Sequence, residues 1–201
     1  MEYPLAIENT PDAVPPGTGI LLLLDISGET DRIDTDFLKT DTDSLLVVST
    51  RTTAREVRQK LHHYGVVDGD DGGVEEEDAV ILDALSVERG YSRRSGENVH
   101  YVSAPDDLAG IVEHTRHYLA DHEGKRRVSF DSITELAYYA DNDEAVLDTV
   151  VELLDLIEAY GAVGLFHLST EVHDRELVDR YRELFDGVVT LHEDGSVEGE
   201  F

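Results

Sequence analysis

The sequence predicts an α/β fold, in which a mostly parallel central sheet carries helices on both faces and a β-hairpin ends the chain. Short apolar runs alternate with longer segments whose apolar residues recur at helical spacing, which is typical of βα units around a parallel sheet. Several runs, such as LLLL at 21–24 and LLVV at 45–48, are apolar on both faces. Strands that helices cover on both sides have this composition.

Eight short apolar runs are predicted to be strands. The last two are expected to form the hairpin, because Asp194-Gly195 between them is a favoured two-residue turn. In chain order, the predicted strands are Ile20–Leu24, Leu45–Ser49, Ala79–Leu82, Val99–Ser103, Arg127–Phe130, Gly164–Leu168, Gly187–Leu191 and Ser196–Glu200.

Four amphipathic segments are predicted to be helices. Each carries an apolar stripe, Pro105 precedes the second, and Gly65 and Gly161 follow the first and third at the position that glycine favours after a helix. The predicted helices are Thr52–Tyr64, Asp106–Ala120, Glu144–Tyr160 and Val172–Phe185.

Length and composition favour one domain over residues 1–201, with a short N-terminal lead over residues 1–18. The acidic stretch 68–78 is predicted to be a flexible, solvated loop. The absence of cysteine excludes disulfides and thiolate zinc sites. The acidic N-terminus and the short apolar runs predict neither a signal peptide nor a membrane span, so we expect a cytoplasmic protein.

The charge is strongly negative, with 45 acidic and 16 basic side chains and a formal net charge of −29. Repulsion from phosphate groups therefore argues against binding to nucleic acid or to an anionic membrane. The acidic residues are spread over the whole chain, which indicates a globular protein adapted to very salty cytoplasm, where screening shortens the repulsion. Arg93-Arg94 and Lys125-Arg126-Arg127 either form a small cationic island or balance nearby carboxylates such as Glu97 and Glu123.

Two segments carry a recognisable pattern: RRVSFDSITELAYYADNDEAVLDTVVELLDLIEAYGAVGLFHLST at 126–170 and RELFDGVVTLHEDGSVEGEF at 182–201. They resemble the second half of the RecA/KaiC-like ATPase domain, in which a strand ends in Asp-Ser, a helix and a further strand follow, and a hairpin closes the sheet. The resemblance is weaker over residues 16–98. It is closest to shortened, KaiC-like proteins of salt-loving archaea that lack intact ATPase motifs.

The resemblance implies a nucleotide site that is only vestigial. In that family the first strand leads into Gly-x-x-x-x-Gly-Lys-Thr, whose amides and lysine hold phosphates. Here LLLLDISGETD at 21–31 has Leu23 at the first glycine and Glu29 at the lysine. Each added carboxylate repels phosphate by on the order of 1–4 kcal/mol at contact distance. What remains of the site is Ser27, Gly28, Thr30, Asp131 and Ser132.

A second family feature is also missing. In KaiC-like ATPases the strand after the phosphate loop ends in acidic residues that orient the attacking water. Here that strand runs into Arg51-Thr52-Thr53, with no carboxylate before Glu56. Without the phosphate-binding loop, the cation and the water-positioning group, the chain lacks the groups that phosphoryl transfer requires. The resemblance therefore implies a domain without catalytic residues or a cofactor, which acts in regulation or signalling by binding a protein partner or by self-association.

Other interpretations remain open at this level. The chain could instead bind ATP and Mg²⁺ through the five vestigial residues. Asp131-Ser132 could simply cap the following helix, with Glu135 completing a capping box, and Ser27–Thr30 could be an ordinary turn. Histidines offer a third, metal-dependent chemistry, although their spacing places no complete ligand set. These histidines are His62, His63, His114, His117, His167 and His173.

Overall fold

The computed structural model describes residues 1–25, 30–69, 73–91 and 98–201. Its strands are β1 (Tyr3–Pro4), β2 (Ala13–Val14), β3 (Gly19–Leu24), β4 (Ser44–Ser49), β5 (Ala79–Asp83), β6 (Val99–Tyr101), β7 (Arg126–Asp131), β8 (Val163–Ser169), β9 (Gly187–Leu191) and β10 (Val197–Glu200). Its α-helices are α1 (Asp31–Lys39), α2 (Ala54–His63), α3 (Leu108–Asp121), α4 (Ile133–Ala140), α5 (Asp143–Tyr160) and α6 (Arg175–Arg182).

Eight strands form one sheet in the order β10-β9-β3-β8-β7-β4-β5-β6. Every neighbouring pair is parallel except β9 and β10, which are antiparallel and close the sheet as a hairpin. The predicted α/β class, the mostly parallel sheet and the C-terminal hairpin are thus confirmed. All eight predicted strands are present, each within two residues of its predicted ends.

Helices cover both faces of the sheet, because the strands are apolar on both sides. Alternate residues of β3 enter two separate cores: Leu21 and Leu23 pack with residues of α3, α4, α5 and α6. Ile20, Leu22 and Leu24 pack on the opposite face with residues of α1, α2 and the N-terminal segment. The two-residue period of a strand therefore explains why LLLL contains no polar position.

The N-terminal lead packs against the second core through Tyr3, which is buried in β1. Arg127 of β7 is fully buried beside it, with its guanidinium 5.4 Å from the ring of Tyr3 and 5.1 Å from that of Phe37. Its Nη2 donates to the carbonyls of Pro4 and Thr40, at 2.7 and 2.8 Å. Burial lowers the pKa of Arg127 to about 10. This arginine therefore joins the lead to the end of α1.

The described part of the predicted cationic island is not a free basic surface. Lys125 forms an ion pair with Asp41, and Arg126 donates to the backbone carbonyls of Leu119, His122 and Tyr160. The interpretation that these cations balance nearby carboxylates therefore holds for Lys125, whose partner is Asp41 and not Glu123, whereas Arg126 and Arg127 donate to backbone carbonyls. Arg93, Arg94 and Glu97 lie outside the described residues.

Helix α1 was not predicted, and helix α4 was expected only as the helix, without bounds, that Asp131-Ser132 would cap. Helix α1 is short and mostly charged, and it buries only Ile33, Phe37 and Leu38. Helix α4 is separated from α5 by Asp141, whose φ of 48° ends α4, and by Asn142, whose side chain accepts a hydrogen bond from the first turn of α5. The predicted helix 172–185 is shorter than expected, because residues 170–172 form a separate 3₁₀ turn before α6.

The acidic stretch 68–78 is described at 68–69 and 73–78. Val74 bridges to Val67, and Glu76–Asp78 form a 3₁₀ turn that leads into β5. Residues 70–72 lie outside the described residues, so the flexibility expected there stays a prediction. Among the helices that the structure describes, none combines the length and apolarity needed to cross a bilayer.

Candidate functional site

The carboxyl ends of β3, β8, β7 and β4 meet at one edge of the sheet. The register pairs Ser49 of β4 with Asp131 of β7, so Arg51, which follows β4, lies next to the end of β7. Thr30 precedes α1 near the end of β3. The structure thus brings together Thr30, Asp131 and Ser132 of the predicted site, while Ser27 and Gly28 lie outside the described residues.

Asp131 is held by Arg51 through one hydrogen bond and a second close ion-pair contact. Nε of Arg51 lies 2.8 Å from Oδ1 of Asp131, and Nη2 donates to Oδ2 at 3.0 Å. Burial alone would lower the pKa of Arg51, but Asp131, with smaller contributions from Glu135 and Asp34, raises it overall. Because both side chains are partly buried, at 32% and 21% exposed, this paired geometry is stronger than that of a surface ion pair.

His167 lies behind this pair, fully buried within β8. Its Nε2 is 2.8 Å from Oδ1 of Asp34 on α1, and its Nδ1 is 3.5 Å from Oδ1 of Asp131. The hydroxyl of Thr30 donates to the other oxygen of Asp34 at 2.6 Å. Thr30, Asp34, His167, Asp131 and Arg51 therefore form one connected set of side chains, which we call the polar chain.

The charges of the polar chain reinforce one another. Burial by itself would lower the pKa of His167, but Asp34 and Asp131 outweigh burial and raise it. Burial by itself would raise the pKa of Asp34, but His167, together with Thr30 and Lys60, lowers it overall. The raised pKa favours a positively charged His167 between the two carboxylates, and with the guanidinium of Arg51 beyond, the charges of the set largely cancel.

Ser132 acts as a helix cap. Its hydroxyl accepts from the N–H of Glu135 at 3.4 Å and donates to the Glu135 carboxylate, while its own N–H donates to the hydroxyl of Thr50 at 2.8 Å. The capping interpretation of Ser132 is thus confirmed. The expected capping box is incomplete, because Glu135 contacts the hydroxyl and Thr50 takes the backbone N–H. The Ser132 hydroxyl therefore already donates and accepts hydrogen bonds within the protein.

A cavity of about 250 Å³ opens beside the polar chain, between α1 and α2. Its inner end is polar and includes Arg51 and Asp131, whereas its walls include Leu38, Val57 and Leu61. At the mouth, Asp31 accepts from Lys60 at 2.9 Å and from Tyr64 at 3.0 Å. The two cations of this cavity, Arg51 and Lys60, therefore each already contact a carboxylate.

The described residues do not fit a magnesium-bound nucleotide. The Asp131 oxygens that would help to hold Mg²⁺ face a guanidinium, and like charges repel a metal ion from that position. Asp31 and Asp34 border the cavity where a polyphosphate needs positive charge. Asp25 contacts His192 at 2.7 Å, away from that cavity.

The histidines named in the sequence do not converge on one site. His114 stacks near His100, His117 contacts Glu113 at 2.9 Å, and His173 contacts the hydroxyl of Thr134 at 3.2 Å. Only His62 joins a group of possible metal ligands in the described ranges, with Asp68 and Glu76. That group is fully on the surface, and Arg58 lies 3.7 Å from Glu76, so a cation already faces it.

Sequence reasoning missed Asp34, named His167 only as a possible metal ligand, and did not foresee that Arg51 contacts Asp131. His167 carried a signal, since a lone histidine within the apolar run GLFHLS must find a partner when the strand is buried. The sequence held no such signal for Asp34, because helix α1 was not predicted. Arg51 was noticed only as the absence of a carboxylate, and its contact with Asp131 depends on the order of the strands.

Known structures share this architecture. A KaiC-like protein from the hyperthermophilic archaeon Pyrococcus horikoshii OT3 superposes with a TM-score of 0.64 at 14% identity, over 94% of this chain and 78% of that one. A prototypical ATPase from the type III secretion system of pathogenic bacteria superposes with a TM-score of 0.58 at 12% identity, over 90% of this chain. This chain spans only 53% of that ATPase. The fold is therefore that of RecA/KaiC-like P-loop ATPases.

The sequence comparisons identify the family but no activity. A family model matches residues 1–201, and the chain belongs to this family, which is described as a family of unknown function (DUF7090). No curated protein matches the chain.

Proposed function

We propose that this chain is a non-catalytic RecA/KaiC-like domain that acts in regulation or signalling by binding another protein. The observation that carries the proposal is the paired contact of Arg51 with Asp131, at 2.8 and 3.0 Å. Asp131 is the carboxylate that the resemblance would assign to a metal, and an arginine of the same chain holds it instead. A metal ion would have to displace that guanidinium and leave it without a counter-ion.

The charge around the vestigial site supports the same conclusion. A lysine is missing where the family has one, and Glu29 stands there in the sequence. The strand that should supply a water-orienting carboxylate supplies Arg51. The fold is retained although the groups for phosphoryl transfer are replaced, which favours a role in which the surface, rather than the chemistry, is used.

Phosphate release from Mg-ATP tests the non-catalytic part of the proposal. In multimolar KCl, we expect no release above the protein-free background and no difference between the wild type and Asp131→Asn. Asp148→Asn, on the exposed face of α5, is the matched control for loss of one carboxylate. Hydrolysis that Asp131→Asn abolishes and Asp148→Asn leaves intact would refute the proposal. Light scattering in the same buffer then measures the mass of the purified chain. A dimer or larger assembly would indicate self-association, and a monomer would leave a different protein as the partner.

A further inference from the structure

A groove of about 680 Å³ lies at the carboxyl edge of the sheet, between α4, the start of α6 and the loop after β5. Tyr138 and Val172 border it and are 79% and 67% exposed, the highest values for large apolar side chains in the described residues. Leu85 and Leu177 line its floor. Exposed apolar groups concentrated in one place on so charged a chain mark an interaction surface.

The groove is acidic. Glu135, Asp143 and Asp174 line it, and within the described ranges none of the three takes part in an ion pair with a basic side chain. The neighbouring carboxylate on α5 behaves differently, because Glu144 accepts two hydrogen bonds from Arg180, at 2.7 and 2.9 Å.

The cations in the groove do not balance these carboxylates. Arg51 is held by Asp131, and Arg89 donates to the hydroxyl of Tyr139 at 3.1 Å. Burial lowers the pKa of His173 below its ordinary value, so this histidine is neutral near pH 7. Of the groove's cations, only Arg89 then offsets the three carboxylates. The groove therefore carries a net negative charge beside the exposed side chains of Tyr138 and Val172.

We propose that this groove binds a basic, partly apolar segment of another protein, with an arginine or lysine between the ring of Tyr138 and the carboxylates of Asp143 and Asp174. The proposal rests on the proposed function and names the chemistry of the partner. A cation can lie against a tyrosine face, and the aliphatic stem of the same side chain covers apolar surface such as Val172. Tyrosine is among the residues that contribute most at protein interfaces.

Charge decides against the other occupants of this groove. A second copy of the chain carries the same net charge of −29 and only 16 basic side chains, so most of its surface repels the groove. Nucleic acid and anionic lipid are repelled for the same reason. A partner whose binding segment is basic is the occupant that the carboxylates and the exposed tyrosine both fit.

Fluorescence anisotropy with a short fluorescein-labelled peptide of arginine, leucine and serine tests the proposal. The same peptide with glutamate in place of arginine is the ligand control. In multimolar KCl, where long-range attraction is screened, we expect saturable binding of the arginine peptide alone. We expect Tyr138→Ala, and the double variant Asp143→Asn with Asp174→Asn, each to weaken that binding about tenfold or more.

Tyr91→Ala is the matched control variant, because Tyr91 is 52% exposed and lies outside the groove. It should bind the arginine peptide like the wild type, and all variants should melt like the wild type because the changed side chains are at the surface. Absence of saturable binding, equal binding of the glutamate peptide, insensitivity to Tyr138→Ala, or dimers that Tyr138→Ala dissociates would overturn the proposal. Its failure is distinguishable from failure of the proposed function, which depends on phosphate release.

Discussion

Replacing Arg51 by methionine isolates the contact on which the proposed function depends. The change keeps the aliphatic stem but leaves Asp131 beside His167 and Asp34 without its guanidinium. One hydrogen bond to a charged group, which contributes about 1.5–3 kcal/mol, is lost together with a second close ion-pair contact. Loss of one partner from a fully buried pair costs about 3–5 kcal/mol. Because these side chains are 32% and 21% exposed, we expect Arg51→Met to lower the free energy of unfolding by about 2 kcal/mol.

The assay is reversible unfolding in multimolar KCl, by guanidinium chloride or heat. For a chain of this length, about 2 kcal/mol lowers the melting temperature by roughly 4–8 °C. The double variant Arg51→Met with Asp131→Leu removes both charges, so its loss should be smaller than the sum of the two single losses by about 1 kcal/mol or more.

Arg180→Met is the matched control for this experiment. Arg180 also holds one carboxylate with two nitrogens, here through two hydrogen bonds, but the side chains of Arg180 and Glu144 are 45% and 70% exposed. Its loss should therefore be much smaller than that of Arg51→Met. The reasoning fails if Arg51→Met and Arg180→Met are equally mild, or if the Arg51 and Asp131 substitutions are simply additive.

Three further predictions concern the core, the helix cap and the buried histidine. Phe130→Ala should lower the free energy of unfolding by about 3–5 kcal/mol, because Phe130 is fully buried and stacks on Phe166; a loss under about 1 kcal/mol in denaturant titration would contradict this packing. Ser132→Ala should lower it by about 1 kcal/mol through loss of the cap of α4, with Ser132→Asp recovering part of it; equal stability of all three proteins would argue against the cap. The raised pKa of His167 predicts that its contribution to the free energy of unfolding is complete below about pH 6.5 and is lost as pH rises through the folded-state pKa. The stability difference between wild type and His167→Gln should therefore shrink at alkaline pH. A difference that does not change with pH would be inconsistent with a charged imidazole.

The strands of the sheet were predictable because each is specified by its own short stretch of sequence. Runs such as LLLL and LLVV specify buried strands wherever the strands later pair, and Gly161, with a φ of 63°, ends α5 as its position indicated. Helix α1 was not predictable in the same way, since five of its nine residues are charged and tertiary packing of Ile33 and Phe37 decides its conformation.

The site was predictable only in part, because its contacts join residues that are distant in sequence. Arg51 and Asp131 are 80 residues apart, and Asp34 and His167 are 133 apart. The resemblance to a known family located Asp131 and Ser132, but it did not indicate which side chain replaces the metal at Asp131. That arginine becomes visible only when β4 and β7 are placed side by side.

Thermal unfolding in multimolar KCl, with and without Mg-ATP, Mg-ADP and Mg-GTP, tests the central claim most directly. The account predicts the same melting temperature in all four solutions. A nucleotide bound at a hundred times its Kd would add about 2.7 kcal/mol to the stability of the native state. Such a gain corresponds to a rise of roughly 5–10 °C for a chain of this length. A rise of that size would contradict the account and make the loop before α1 a working phosphate site.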